Sequence, residues 1–260
     1  MIITAGCGIS QQNWERWPTW PKYCSMATDH INFGLPAAGN YLIGLSLLKG
    51  LQETTPNAVI VTWTSHNKLD IYVDNLTLAE EIQTYPTRNF LINWQGYTQK
   101  LGWWPSSVSN DNPIKQNYSK WANETSYALT TLQSVFMIQE YCVKNKIPLY
   151  QYMSYEWPLD DWKNNSEVSW LYSMIDWEAF NLKILSQDYY DSKWRDYQVT
   201  NNFGLIPTAG WHAEFFINDI LPMVSKHVNI KNIKLDKLME AATVLSRKIY
   251  DEDSNYLNKK

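Results

Sequence analysis

The sequence predicts an α/β fold, a three-layer sandwich with a central, mostly parallel sheet, helices on both faces and aromatic-rich loop insertions. Three observations lead there. Short strand-like runs alternate with longer segments of helical periodicity, the pattern of strands joined by crossover helices. One run, Ala58-Val59-Ile60-Val61-Thr62-Trp63, is apolar almost throughout, as a strand buried on both faces requires. The first strand also runs directly into a turn of small residues, Gly6-Cys7-Gly8, at the kind of sheet edge where parallel sheets bind ligands.

Taken in order, strands are expected at residues 2–5, 30–33, 58–63 and 148–154. Residues 39 to about 53 read as a helix, with Leu42, Leu45, Leu48 and Leu51 on one stripe and Gly44 and Gly50 allowing close packing. Residues 93–119 carry Gly, Pro, Asn and Trp without periodicity and are expected to form a loop insertion or lid. A strong helix follows at 120–144, with Leu129, Leu132, Phe136 and Val143 among its apolar positions, and Asn145 supplies a stop signal. Residues 213–226 and 235–250 are helical by pattern, the latter within a C-terminal helical extension at about 235–260. No internal repeat and no Pro/Gly/Ser linker divides the chain, so residues 1–260 are expected to form a single domain.

Composition narrows the function. A formal net charge of -4 and the lack of a basic block argue against a nucleic-acid partner. Three cysteines, Cys7, Cys24 and Cys142, are too few and too dispersed for a disulfide framework or a zinc site, and no metal or cofactor is expected. No stretch approaches the roughly 20 apolar residues of a membrane span, and no signal peptide is visible. A soluble, cytoplasmic protein without a membrane partner is the expectation, and the sequons at Asn75, Asn117, Asn123 and Asn164 are then chance matches. Aromatic residues make up 15% of the chain, with 14 Trp. Packing of large side chains onto the core is favoured over sugar-stacking platforms.

Four segments, residues 6–10, 34–40, 64–67 and 204–212, would meet beyond the carboxyl ends of the strands; with their flanks they read Gly6-Cys7-Gly8-Ile9-Ser10, Asn32-Phe33-Gly34-Leu35-Pro36-Ala37-Ala38-Gly39-Asn40, Thr64-Ser65-His66-Asn67, and Phe203-Gly204-Leu205-Ile206-Pro207-Thr208-Ala209-Gly210-Trp211-His212. In order and spacing they resemble the four blocks of the SGNH (GDSL-type) hydrolases, particularly the divergent versions found in bacteriophages. The resemblance spans Ile2 to Pro222 and implies an SGNH-hydrolase/flavodoxin-like sheet. It also implies where the family's chemistry would stand. The nucleophilic serine falls on Gly8, the oxyanion-donating glycine on Ala37 and the oxyanion asparagine on His66. The base histidine falls on Ile206 and its orienting acid on Phe203. Acyl transfer needs a nucleophile activated by a neighbouring base, and neither Gly8 nor Ile206 can serve. In this register the chain is a pseudo-hydrolase.

Two readings from different classes stand. One is a non-catalytic binding or interaction protein on the SGNH-like scaffold, of the phage-encoded kind. Its ligand-facing residues would be Cys7, Gly8, Ala37, Asn40, His66 and Asn67, and its partner a small acylated or carbohydrate ligand or a protein; the oligomeric state is left open. The other is an active esterase or carbohydrate deacetylase using a relocated Ser10–His212 pair. Against the pair, Ser10 reads more simply as a cap after the first strand and His212 as a packing residue of a late helix. Cys7 reads as a small buried residue. His66, Asn67 and Asp70 form a polar cluster suited to hydrogen-bonded recognition, to displaced acid–base chemistry, or merely to a stable turn. The adjacent pairs Glu80-Glu81 and Asp160-Asp161 read as solvated faces. Trp14, Trp17, Trp20, Trp103 and Trp104 would border the cleft, and Trp157, Trp162, Trp170 and Trp177 are expected to pack or to lie at an interface.

Overall fold

A computed structural model describes residues 1–10, 17–35, 38–68, 70–73, 102–105, 123–197, 199–201 and 204–257. Its centre is a sheet of five strands, β1 (Ile2–Gly6), β2 (His30–Gly34), β3 (Ala58–Trp63), β6 (Leu149–Met153) and β7 (Phe180–Ile184), in the order β2-β1-β3-β6-β7. Every neighbouring pair is parallel, with Ile2 opposite His30 on one side and Ala58 on the other. Two antiparallel two-stranded sheets stand apart from it: β4 (Asp70–Val73) with β5 (Gly102–Pro105), and β8 (Val199–Asn201) with β9 (Gly204–Ile206). This is the α/β architecture expected from the alternation of strands and helices.

The period of two along each strand divides the core. Ile3, Ala5, Val59, Val61 and Trp63 enter one cluster, under α2 (Asn40–Glu53) and α3 (Glu124–Lys144). Ile2, Ala58, Ile60 and Tyr152 enter the other. That second layer contains α1 (Trp20–Ala27), α6 (Leu185–Asp191), α7 (Ala209–Phe215) and α9 (Leu235–Leu257). Between β6 and β7 the short helices α4 (Leu159–Asn164) and α5 (Ser169–Tyr172) return the chain across the first face. All three cysteines are buried and free, Cys24 in the α1 layer and Cys7 and Cys142 in the α2/α3 layer.

Several local expectations are corrected. The buried face of α2 runs through Leu42, Ile43, Ser46, Leu47, Gly50 and Leu51, while Leu45 and Leu48 are only half-buried. A strict spacing of three drifts around a helix of 3.6 residues per turn, whereas paired positions four apart hold one face. Gly50 does allow close packing: a Cβ there would collide with the Phe33 ring. On α3 the core face is Ala128, Leu132, Val135, Ile138 and Cys142, and Val143 is 72% exposed. This helix starts at Glu124, after an Asn123–Ser126 capping box, and Asn145 closes it.

The segment expected to be helical from 213 begins four residues earlier, behind an N-cap at Thr208. It then widens into a π turn, Phe216–Ile220, before α8 (Leu221–Val224). Pro222 explains the widening: it has no N–H for the Asn218 carbonyl and its ring crowds that carbonyl. The edge strand β7 was not anticipated at all. Of the expected insertion at 93–119 only the β5 strand lies within the described residues; Glu80, Glu81, Asn75, Asn117, Trp14 and the tail beyond Leu257 lie outside them.

Candidate functional site

From β1 the chain crosses to β2 on one side and returns to β3 on the other, so the topological switch point lies beyond the ends of β1 and β3. The turn leaving β1 enters this crevice. A Cβ on Gly6 would strike the hydroxyls of both Thr62 and Ser10, so only glycine lets the two meet. Ser10, fully buried, closes a single 3₁₀ turn (Gly8–Ser10), and its Oγ is hydrogen-bonded to Thr62 Oγ1. The Asn32 amide donates to the Ser10 carbonyl at 2.9 Å, and the Leu35 N–H donates to the Gly6 carbonyl at 2.9 Å. The first two predicted segments therefore do meet here. The N–H groups that Ser10 was expected to cap belong to residues 11–16, outside the described residues.

Asn40, at the start of α2, ties in the third segment. Its Oδ1 accepts from the Thr64 N–H at 2.8 Å, while its Nδ2 donates to the Thr64 carbonyl at 3.3 Å and to Thr131 Oγ1 at 3.1 Å. Both ends of the buried amide are thus spent on holding the loop after β3. The carboxylate of Asp70 crosses from the β4 strand to the N-terminus of α2, accepting from the Gly39 and Leu42 N–H groups at 2.7 Å each. Such a terminus attracts an anion, and Asp70 supplies it from within the chain. Burial raises its pKa to about 6, against the opposing pull of those two N–H bonds and the Lys68 charge.

His66 faces the other way. Its Nε2 lies 2.9 Å from Glu124 Oε2, at the first turn of α3, and its ring meets the edge of Trp162 at 5.4 Å. With Nε2–H donating to Glu124, a neutral ring keeps its lone pair at Nδ1, which is buried without a hydrogen-bond partner. Asn67 beside it is exposed, and its Oδ1 accepts from Ser65 Oγ at 2.7 Å. Below this loop the Trp157 indole donates to the Thr64 carbonyl at 2.8 Å and packs on Trp162. Ser154 follows Met153, which sits opposite Trp63, so Thr64 and Ser154 come next in register on adjoining strands. Thr64 Oγ1, Ser154 Oγ and Trp162 Nε1 are all buried without partners.

His212 lies in α7, fully buried, against Trp211 at 5.2 Å, with Nδ1 unpartnered. Burial lowers its pKa to about 3, so the imidazole is neutral. Among the described residues no hydrogen bond joins it to Ser10. The loop before α7 is tied to the residues ahead of α1 through the Trp17 indole, which donates to the Pro207 carbonyl at 3.1 Å. Cys7 is buried in the core and Gly8 is half-buried at the turn. Ala37 and Phe203 lie outside the described residues, as do the side chains of Ile206, Trp103 and Trp104. Trp17, Trp20, Trp157 and Trp162 are buried packing residues, whereas Trp170 is 57% exposed.

Sequence reasoning did not reach Thr62, Glu124 or the capping role of Asp70. Nor did it find Lys183 on β7, which bridges Asp188 at 3.0 Å and Asp219 at 2.9 Å, while Trp211 Nε1 donates to Asp188 at 3.0 Å. Burial alone would lower the Lys183 pKa, but the two carboxylates raise it. Asp219 belongs to the π turn, so this ionic group pins the widened helix to the sheet edge. Among the described residues no cluster of three or more His, Cys, Asp or Glu could hold a metal ion, and no helix is long and apolar enough to cross a membrane.

The fold and this edge define an α/β protein with a parallel five-stranded sheet and a polar, aromatic loop cluster beyond its carboxyl ends. No protein-family model and no curated protein matches the chain in sequence. Among solved structures it is similar to a GDSL-like lipase from Bacteroides thetaiotaomicron, at 13% identity and a TM-score of 0.39, over 87% of this chain and 88% of that one.

Proposed function

We propose that this chain is a non-catalytic binding protein on an SGNH-hydrolase-like scaffold of the phage type, a pseudo-hydrolase that takes a small carbohydrate or acylated ligand beside His66. The observation that carries the reading is the commitment of Ser10: its hydroxyl is buried and bonded to Thr62. A serine nucleophile needs its proton within reach of a base. His66, by contrast, is oriented by Glu124, borders Trp162 and retains 14% side-chain exposure. Beside it Ser65 and Asn67 supply further hydrogen-bonding groups for a hydroxylated ligand.

Hydrolysis of an aryl acetate by the purified protein is expected to stay at the buffer rate and to be unmoved by Ser10→Ala or His212→Ala. An active triad accelerates such reactions by many orders of magnitude, so the assay separates the two readings widely. A fluorophosphonate probe labels only an activated hydroxyl. Labelling at Ser10 that disappears in His212→Ala overturns the proposal and installs the esterase.

A further inference from the structure

On the face of the molecule that carries α1 and α9, the two helices leave an open groove of about 460 Å³ between them, within the range of small-molecule sites. Its lining is apolar except at one end. Tyr23, Leu238 and Ala242 are buried in the core beneath, while Met26 (48% exposed) borders the groove from α1 and Ala241 from α9. The polar end holds Lys234 and Lys237, both exposed, and among the described residues neither ammonium group has an ion-pair or hydrogen-bond partner. Lys231 close by is engaged by Asp29 at 3.6 Å, and Asp236 stands between the two lysines in sequence. Among the described residues no acidic side chain lines the groove itself.

Positions 237, 241 and 245 are four apart, so they lie along one edge of α9, with Lys234 just before its first turn. From Lys237 to Leu245 the helix rises about 12 Å, the length of an extended chain of about ten carbons. We propose that this groove binds a medium-chain fatty carboxylate, its tail lying along α9 as far as Leu245 and its head between Lys234 and Lys237. The asymmetry decides the class of ligand. A neutral hydrocarbon leaves both lysines unused, a cationic amphiphile is repelled by them, and a short acid leaves the apolar strip uncovered.

The test is a titration of the full chain with sodium hexanoate, octanoate, decanoate and dodecanoate below their micellar concentrations, followed by the methyl NMR signals of Ala241 and Ala242. Decanol and decyltrimethylammonium serve as the neutral and cationic comparators. Saturable one-to-one binding is expected, strengthening about fourfold per added methylene until the tail passes Leu245. The Lys234→Gln/Lys237→Gln variant, changed only at exposed positions, is expected to bind decanoate about tenfold more weakly and decanol unchanged. Ala241→Trp, with circular dichroism confirming its fold, is expected to abolish binding of both. The proposal is overturned if decyltrimethylammonium binds as tightly as decanoate, or if the lysine variant binds decanoate undiminished. It is equally overturned if the Ala241 and Ala242 signals shift with protein concentration alone, which makes the groove a contact between copies of the chain.

Discussion

Two stretches of the same sheet edge are built on different terms. In the crevice between β1 and β3, Ser10 holds Thr62, Asn40 clamps the backbone of Thr64, and Asp70 caps α2; each buried polar group has its partner. One strand further, between β3 and β6, Thr64 Oγ1, Ser154 Oγ, His66 Nδ1 and Trp162 Nε1 have none among the described residues. Thr64 sits on the boundary, its main chain bound on one side and its hydroxyl unpaired on the other. Among the described residues, the polar groups of the crevice where an open parallel sheet usually receives its ligand thus spend their hydrogen bonds on the chain itself. The unspent hydrogen-bonding capacity lies toward His66. Because an unmade buried hydrogen bond costs more than a made one gains, substitutions on the two sides should move stability in opposite directions.

The largest effect is expected from Asn40→Ala. It removes three hydrogen bonds and leaves the buried Thr64 N–H without its acceptor, the Thr64 carbonyl keeping only the Trp157 indole, a loss of about 3 kcal/mol in urea unfolding. Acid comes next. Burial lowers the pKa of His212 to about 3 and of His30 to about 4, so both are neutral when folded and titrate near 6.5 when unfolded. Their contribution is complete above pH 6.5 and is lost as pH falls toward 4 and then 3. Asp70 has the opposite sign: raised to about 6, it favours the folded state most below its unfolded value and loses that contribution as pH rises through 6. Two histidines outweigh one carboxylate, so the unfolding midpoint should drop between pH 7 and 5. It should drop less in His212→Gln and more steeply in Asp70→Asn.

Ser10→Ala should cost about 1 to 2 kcal/mol by orphaning the Thr62 hydroxyl, and the Ser10→Ala/Thr62→Val double variant should cost less than the sum of the singles. The smallest effect carries the reversed sign. Thr64→Val keeps the shape and deletes an unpaired buried hydroxyl, so its melting temperature should rise slightly, by the equivalent of about 1 kcal/mol. A loss at Thr64→Val would mean that the strip beside His66 is as fully satisfied as the crevice, and the contrast would fall.

The legible parts of this molecule are those whose signal is local. β1 and β3 are covered on both faces, so their sequences are nearly continuous apolar runs, and their ends located the turn at Cys7 and the loop at His66. β7 alternates instead: Phe180-Asn181-Leu182-Lys183-Ile184 lies at the sheet edge, and its lysine serves an ionic group formed with α6 and the π turn. The start of α7 was obscured because Gly210 interrupts the apolar period just after the Thr208 cap. The partners that decide what each site residue does come from far along the chain: Thr62 is 52 residues from Ser10, Asp70 is 31 from Gly39, and Glu124 is 58 from His66. No period or spacing carries such pairings, which only the packed sheet brings together.

The cysteines give the layered core a practical consequence. Cys24 lies beneath one face of the sheet and Cys142 beneath the other, and burial raises both thiols, Cys142 to about 12. As thiols they are nearly inert to a disulfide reagent, because the thiolate is the reacting form and neither side chain meets solvent. Each becomes reactive only when its own layer lifts from the sheet. With Cys7, the third buried thiol, replaced by alanine, the chain carries two internal clocks, and their labelling rates in native buffer time the opening of the two sides of the molecule separately.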